Sequence, residues 1–333
     1  MFGYIVRRMI GTLPVMLLIS LLVFMLVQAA PGDPADLLLS DEASKEDIEE
    51  ARIRWGLDQP VYIQYWRFLV AALQGDLGMS FRYADPVLLL IVERLPATIE
   101  LSLVSIILAI LTSIPLGVLA AVKKNTIFDR VSTVGSLFGV SLPGFWFGIL
   151  LLMLFAVHLR ILPVSGRIGY AYEVDAVTHL LLIDSLIAGR LDTFANALSH
   201  LFLPALTLGL PMAAILMRVT RTSMLEVMSQ DYIIFAEAKG ISRTRILIRH
   251  ALKNALIPTV TVAALETGSL LGGNMIVETV FGWPGLGRLV VESIFVHNYP
   301  LVQAAVLFYA VTYVFLNFFA DILYTVLNPR VKL

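Results

Sequence analysis

Six separate stretches of this chain are apolar over a length that crosses a bilayer, and they limit its fold more than any motif does. A hydrocarbon layer of roughly 30 Å needs about 20 residues of helix at 1.5 Å per residue. The stretches are 9–30, 98–122, 131–157, 200–217, 258–277 and 301–326. With 58% hydrophobic and only 15% charged residues, the chain cannot cover itself with a soluble surface. The expectation is an all-α membrane protein with six transmembrane helices. Arg7 and Arg8 before an apolar run ending near Ala29 and Ala30 also fit a secretory signal, but 9–30 exceeds an ordinary signal core and reads as a retained span. Pro204 and Pro211 interrupt the fourth stretch, which membrane helices tolerate where neighbours satisfy the freed carbonyls.

Charge in the connecting segments sets the orientation. Residues 1–8 carry two arginines and no acid, 123–130 carry Lys123, Lys124 and Arg130 against Asp129, and 218–257 carry seven cations against three acids. Segment 31–97 has six cations against twelve acids, and 158–199 and 278–300 are poor in cations. The positive-inside rule then places both termini in the cytoplasm. The chain divides into 1–30, a cytoplasmic N-terminus and first span; 31–97, an extracytoplasmic cap loop; and 98–333, a five-span core with a cytoplasmic segment at 218–257. Glu46, Glu49, Glu50 and Arg54 beside Ile48, Ile53 and Trp55 give the cap an amphipathic pattern, open to a helical cap or a solvated loop. Leu180, Leu181, Leu182 and Ile183 beside Asp184 predict a segment lying along the bilayer.

Several functions lack their chemistry. There is no cysteine, the five histidines form no ligand pair, and no G-x-x-x-x-G-K-[ST] cradle for ATP phosphates occurs, so no cofactor or metal is expected in this chain. A net charge of -1 gives no basic field for nucleic acid. An intramembrane enzyme would need a nucleophile or metal constellation, and a secondary transporter would show paired broken helices in its two halves; neither pattern is present.

Glu266 falls midway along the fifth stretch, where an ionisable group lines a polar path or pairs with another helix. Gly268 and Gly272 form G-x-x-x-G, followed by Gly273, and permit close helix packing. Glu100 and Asp321 lie near span ends, where interfacial solvation is available. Beyond the fifth stretch F-G-W-P-G-L-G-R-L is too rich in glycine and proline for one helix, yet Phe281, Trp283 and Leu286 are apolar. A gate-like outer loop and an interfacial turn anchored by Trp283 both fit. Candidates for a path or gate are Glu266, Asn274, Glu278, Phe281 and Trp283.

The segment from Ser229 to Pro258 carries its own punctuation. Asp231 is expected to cap a short helix that ends at a left-handed Gly240, and Ser242 to cap a second helix running through Arg249 toward Ala255, with Pro258 near the next span. Phe235, Ala236 and Ala238 would form a compact knob for a partner's groove. A basic loop on anionic lipid is the other reading.

This segment resembles the coupling loop of ABC importer permeases, an E-A-A-x-x-x-G stretch that docks on a nucleotide-binding subunit. Ala236 and Gly240 match; Ile234 and Phe235 depart, as in the peptide and nickel branch, whose D-Y-x-x-x-A-x-A-K-G precedes H-A-L-x-N-A-L-I-P. The resemblance continues in P-G-D-P at Pro31, G-L-D-Q-P at Gly56, G-D-L-G-x-S at Gly75, R-L-P-A-T-I-E-L at Arg94, S-L-P-x-F-W at Ser141, L-P-V-S-G at Leu162, R-T-S-M-L-E-V at Arg221, E-T-V-F-G-W-P-G-L-G-R-L at Glu278 and L-N-P-R at Leu327. It implies a type I importer permease fold in a bacterial inner membrane, resembling the first permease subunit of a dipeptide, oligopeptide or nickel importer. Implied partners are a second homologous permease, two ATPase subunits that hold ATP and Mg, and an extracytoplasmic binding protein. The implied coupling residues are Tyr232, Phe235, Ala236, Glu237, Ala238, Lys239, Gly240 and Ile241. Nickel chelates, glutathione and opines remain alternative cargoes.

Overall fold

Long apolar runs with small residues at helical spacing build this fold, and the computed structural model describes residues 2–28, 53, 58–271 and 274–327 of it. The described residues are mainly helical and form no strand. α1 (Phe2–Gln28) is joined by α2 (Val61–Leu73), whose Tyr65 and Phe68 rings meet Phe24 of α1 at 5.4 and 6.0 Å. Residues 31–52 and 54–57, which hold most of the expected cap pattern, lie outside the described residues.

α3 (Val87–Val122) and α7 (Leu191–Met228) form the most extensive helix pairing. Small residues allow it: a Cβ on Gly209 would stand 2.8 Å from the Ser105 carbonyl oxygen, and one on Gly117 2.8 Å from that of Met217. Backbones that close leave no room for a methyl group, so glycine is required for this approach. α7 runs unbroken through Pro204 and Pro211. α3 begins eleven residues before the expected span, so 87–97 is helix rather than loop. The opposite face of α3 leaves Leu103, Ile107 and Leu111 exposed at i, i+4 and i+8, an arrangement suited to lipid.

The third stretch is not one straight helix. α4 (Ile127–Ser141) and α5 (Gly144–Leu151), which continues as a π-helical turn over Leu152–His158, meet at 105°. Pro143 explains the corner: it lacks an N–H and forces Leu142 into extended backbone, φ -80 and ψ 133. α6 (Leu181–Ile187) follows in segment 158–199, and α8 (Asp231–Ala238) and α9 (Arg243–Arg245) follow α7. A π-helical stretch, Ile246–Leu252, leads into α10 (Lys253–Leu271). α11 (Met275–Val280), α12 (Leu286–Phe295) and α13 (Tyr299–Leu327) complete the order. The fifth stretch is therefore divided: α10 ends at Leu271, and the expected tail of that span belongs to α11.

Among the described residues three helices are long and apolar enough to cross a membrane, or four if the bent α4–α5 pair is one span, and α1 adds the shorter apolar run Gly11–Leu26. Three buried clusters hold the helices together. Leu101, Leu201, Leu203, Leu216, Phe281 and Trp283 fill the centre; Val87, Ile91, Leu286, Leu289 and Leu301 join α3, α12 and α13; Ala121, Met224, Ile233, Ala236, Ile246 and Ala255 join α3, α7 and α8 to the base of α10.

Candidate functional site

α8 stands at one end of the bundle, and its short helix presents two unlike faces. Ile233 and Ala236 are buried against Met224, Ile246 and Ala251, whereas Tyr232, Ile234 and Phe235 are exposed, Phe235 to 62%. Glu237, Ala238, Lys239 and Gly240 are exposed and Ile241 is half-buried. The expected knob is thus Phe235 with Ala238; Ala236 braces it from behind and presents nothing outward. Lys239 lies with its Nζ 4.4 Å from the Phe235 ring centroid, a cation–π contact that shields part of the ring.

The glycine turn has the expected geometry and its caps do not. Gly240 has φ +71, its N–H bonds to Glu237 O at 2.9 Å, and the Ile241 N–H bonds to Ala236 O at 3.2 Å. That pair of bonds is a Schellman ending. Asp231 is the first helical residue rather than the cap, which is Gln230, and neither Gln230 nor Ser242 makes a side-chain capping bond. No break separates the second helix from the next span: residues 243–271 are one helical run with Pro258 inside it. Tyr232 ties α8 to that run, accepting from Asn254 Nδ2 at 2.9 Å and donating to His250 O at 3.3 Å.

At the far end the glycine-rich loop closes around a carboxylate. Glu278 is fully buried; Thr98 Oγ1 donates to its Oε1 at 2.8 Å, and the Arg288 N–H donates to Oε2 at 3.0 Å. Thr98 Oγ1 also accepts the Leu286 N–H at 2.9 Å. Thr98 and Glu278 therefore satisfy the first free amides of α12, where a helix end favours negative charge. A Cβ on Gly285 would collide with the Glu278 carboxylate, and one on Gly287 would stand 2.8 Å from Met275 Cα. The G-L-G spacing is explained by this wrapping. Trp283 is buried and donates Nε1–H to Ala97 O at 2.8 Å, and Phe281 is buried in the central cluster. Trp283 anchors the loop to α3 rather than to an interface.

Glu266 and Asn274 belong to a different place. They line a cavity of ≈ 500 Å³ with Phe145, Thr207, Pro211 and Met212. Asn274 donates Nδ2–H to Leu270 O at 3.1 Å, capping the end of α10. The five path or gate candidates thus divide into two groups: Glu266 and Asn274 in a cavity, Glu278, Phe281 and Trp283 in packed interior. Gly268 lies 3.8 Å, from the Cβ it would carry, to the Leu316 Cβ on α13, and Gly272 and Gly273 lie outside the described residues, as does the side chain of Asp321.

Three polar linkages have no local sequence signal because their partners are distant in the chain. Arg167 donates Nη2–H to Glu100 Oε2 at 2.7 Å, while the Leu182 N–H donates to Oε1 at 2.7 Å. Glu100 is 5% exposed, so protein groups rather than interfacial water satisfy it. These bonds fold segment 158–199 onto α3, and α6 buries Asp184 and Ser185 on one face while Ile183, Leu186 and Ile187 stay exposed on the other. Arg221 of α7 grips Asp129 at the start of α4, with Nη2–H to Oδ2 at 2.9 Å and Nε–H to the other oxygen.

Comparison with known proteins places this geometry in context. Residues 113–333 match the family described as "Binding-protein-dependent transport system inner membrane component", and residues 1–102 match its N-terminal membrane component. The chain is 41% identical over 336 residues to the dipeptide transport system permease protein DppB of Escherichia coli (strain K12), covering 100% of this chain and 99% of that one. It is 40% identical over 333 residues to the di/tripeptide transport system permease protein DppB of Pseudomonas aeruginosa (strain UCBPP-PA14), with 100% and 99% covered. Identity to the glutathione transport system permease protein GsiC of Escherichia coli (strain K12) is 38% over 332 residues, again with 100% and 99% covered.

Proposed function

The chain belongs to the family of binding-protein-dependent transport system inner membrane components, and from that premise we propose that it is one permease subunit of an ATP-driven peptide importer. The dipeptide and di/tripeptide permeases it resembles along their whole lengths support peptide as cargo. The glutathione permease keeps a modified tripeptide as the second reading.

The observation that carries the mechanism is the two-faced α8. A protein that only laid a basic loop on lipid would have no need of an exposed phenylalanine backed by a buried alanine and stopped by a Schellman turn. In this proposal Tyr232, Phe235, Ala238, Lys239 and Gly240 meet an ATPase subunit, and Ala236 and Ile241 hold the surface in shape. Two ATPase subunits bind ATP and Mg, a second homologous permease supplies the other half of the path, and a binding protein delivers cargo from outside. Six spans with both termini in the cytoplasm, a cap over 31–86 and a core from Val87 onward complete the reading. Glu266 and Asn274 face the path, and the Glu278 loop, with Phe281 and Trp283, is the fixed outer wall beside it. A secondary transporter reading has no comparable support, since it leaves α8 without a role.

The test is reconstitution. The complex co-purified from the bacterial inner membrane should take up a labelled dipeptide only when ATP and the binding protein are both supplied. Reporters fused after Arg130 and Leu333 should stay cytoplasmic, and those near Glu50 and Asp184 should be translocated. Uptake by this chain without ATPase subunits, or outside labelling of 229–253, contradicts the proposal.

A further inference from the structure

Two arginines at the outer end have chemistry that the path and the coupling surface leave unused. Arg94 of α3 and Arg288 of α12 line a recess of ≈ 110 Å³ with Pro284, Gly285, Leu289 and Glu292. Arg288 is engaged: its Nε–H reaches Glu292 Oε1 at 2.6 Å and its Nη1–H reaches Gly282 O at 2.9 Å. Arg94 is half-buried and makes no hydrogen bond or ion pair among the described residues. Both nearby carboxylates are already engaged, Glu292 by the Arg288 side chain and Glu278 by Thr98 and the Arg288 N–H, so the Arg94 guanidinium has no carboxylate of its own in a half-buried recess. A planar guanidinium in that setting favours a carboxylate, which it can hold through two parallel bonds.

Size selects the source of that carboxylate. The recess admits the tip of one acidic side chain, while the cavity beside Glu266, at ≈ 500 Å³, has the dimensions of a small peptide. The geometry points to Arg94, assisted by Arg288, as the receptor for an acidic side chain of the extracytoplasmic binding protein. This rests on the permease reading and on the outward placement of 278–300. Gly285 forms part of the recess and lies against the Glu278 carboxylate, so an acid seated between the arginines joins α3 to α12 directly above the place where Thr98 and Glu278 join them. Docking and the outer wall are then mechanically one unit.

The assembled complex in nanodiscs, titrated with its purified binding protein in empty and peptide-loaded forms, tests this. Arg94→Gln is expected to weaken association of both forms by about 10-fold and to flatten its salt dependence, with basal ATPase unchanged and Arg94→Lys intermediate. Arg94→Glu should be restored by an acid-to-lysine change on the binding protein's docking face. Equal affinity of Arg94→Gln and the unmodified complex at low salt overturns the inference. So does unchanged binding-protein affinity with a selective loss of uptake for free-carboxylate over C-terminally amidated peptides, which assigns the arginines to the cargo. An unmodified complex that binds no binding protein at all overturns the permease reading itself, and this inference with it.

Discussion

Thr98 and Glu278 are 180 positions apart in sequence and 2.8 Å apart in space, with one hydroxyl serving a buried carboxylate and a buried helix amide at once. Thr98→Val keeps the shape and removes both bonds. It leaves a carboxylate oxygen and the Leu286 N–H unsatisfied, a loss of about 2 kcal/mol. Thermal unfolding in detergent should show it as a clear drop in stability, and Thr98→Ser should recover most of it. Equal stability of Thr98→Val and the unmodified chain would mean that the carboxylate is held by other groups.

Glycines that share the small-residue label should respond differently to a methyl group. Gly209→Ala places its Cβ 2.8 Å from a backbone oxygen of α3, which cannot move aside cheaply, so a cost of roughly 1–3 kcal/mol is expected. Gly268→Ala meets its nearest neighbour at 3.8 Å and should be nearly neutral. Paired unfolding measurements decide the matter; equal effects at the two sites would refute the close α3–α7 approach.

The coupling surface separates conformation from contact. Gly240 has open space around its missing Cβ but a φ of +71, so Gly240→Val suffers from backbone strain alone, about 1–2 kcal/mol, and Gly240→Asn should be tolerated. Phe235→Ala removes an exposed ring without disturbing the buried Ile233 and Ala236. Both Gly240→Val and Phe235→Ala should insert normally and lose ATP-coupled uptake, with Phe235→Ala also losing ATPase subunits on purification. Full coupled uptake by both variants would return this segment to the role of a basic loop.

Asp184 gives segment 158–199 an acid limit. Burial, the largest single influence on it, pushes its pKa up, but bonds from the Thr178 side chain and N–H and from the Val177 and His179 backbone together hold it below the ordinary 3.8. A folded pKa below the unfolded one means the carboxylate stabilises the segment fully above the ordinary value, and that contribution is lost progressively as pH falls below it and through the lower folded pKa. Protease resistance of 159–190 should therefore be flat from about pH 7 to 5 and decline below about pH 4. Asp184→Asn should be weaker at neutral pH and insensitive to that acid step; an unchanged acid decline in the variant would assign it to another group.

Apolar length is enough to read an all-helical membrane chain, and the Gly240 turn is legible because left-handed backbone leaves few residue choices. Ala236 was misplaced because an alanine on a short helix reads the same facing in or out; only the neighbouring Met224 and Ala251 decide it. The corner at Pro143 and the continuity through Pro204 show the same residue with opposite outcomes, set by what packs around it. Glu278 stood in a visible motif, yet its partner Thr98 lay in another, and nothing local links them. Arg167 with Glu100 and Arg221 with Asp129 were hidden for that reason too.

The helical run 243–271 has a consequence for force. At 1.5 Å per residue the run is about 40 Å long; Tyr232 of α8 holds it at Asn254, and the cavity borders it at Glu266, about 18 Å farther along. An arm of that length turns a tilt of about 5° at Asn254 into a travel of roughly 1.5 Å at Glu266. In the proposed permease, a push on α8 too small to disturb its own packing would thus be felt as a shift of more than an ångström beside Glu266, at the wall where cargo would pass.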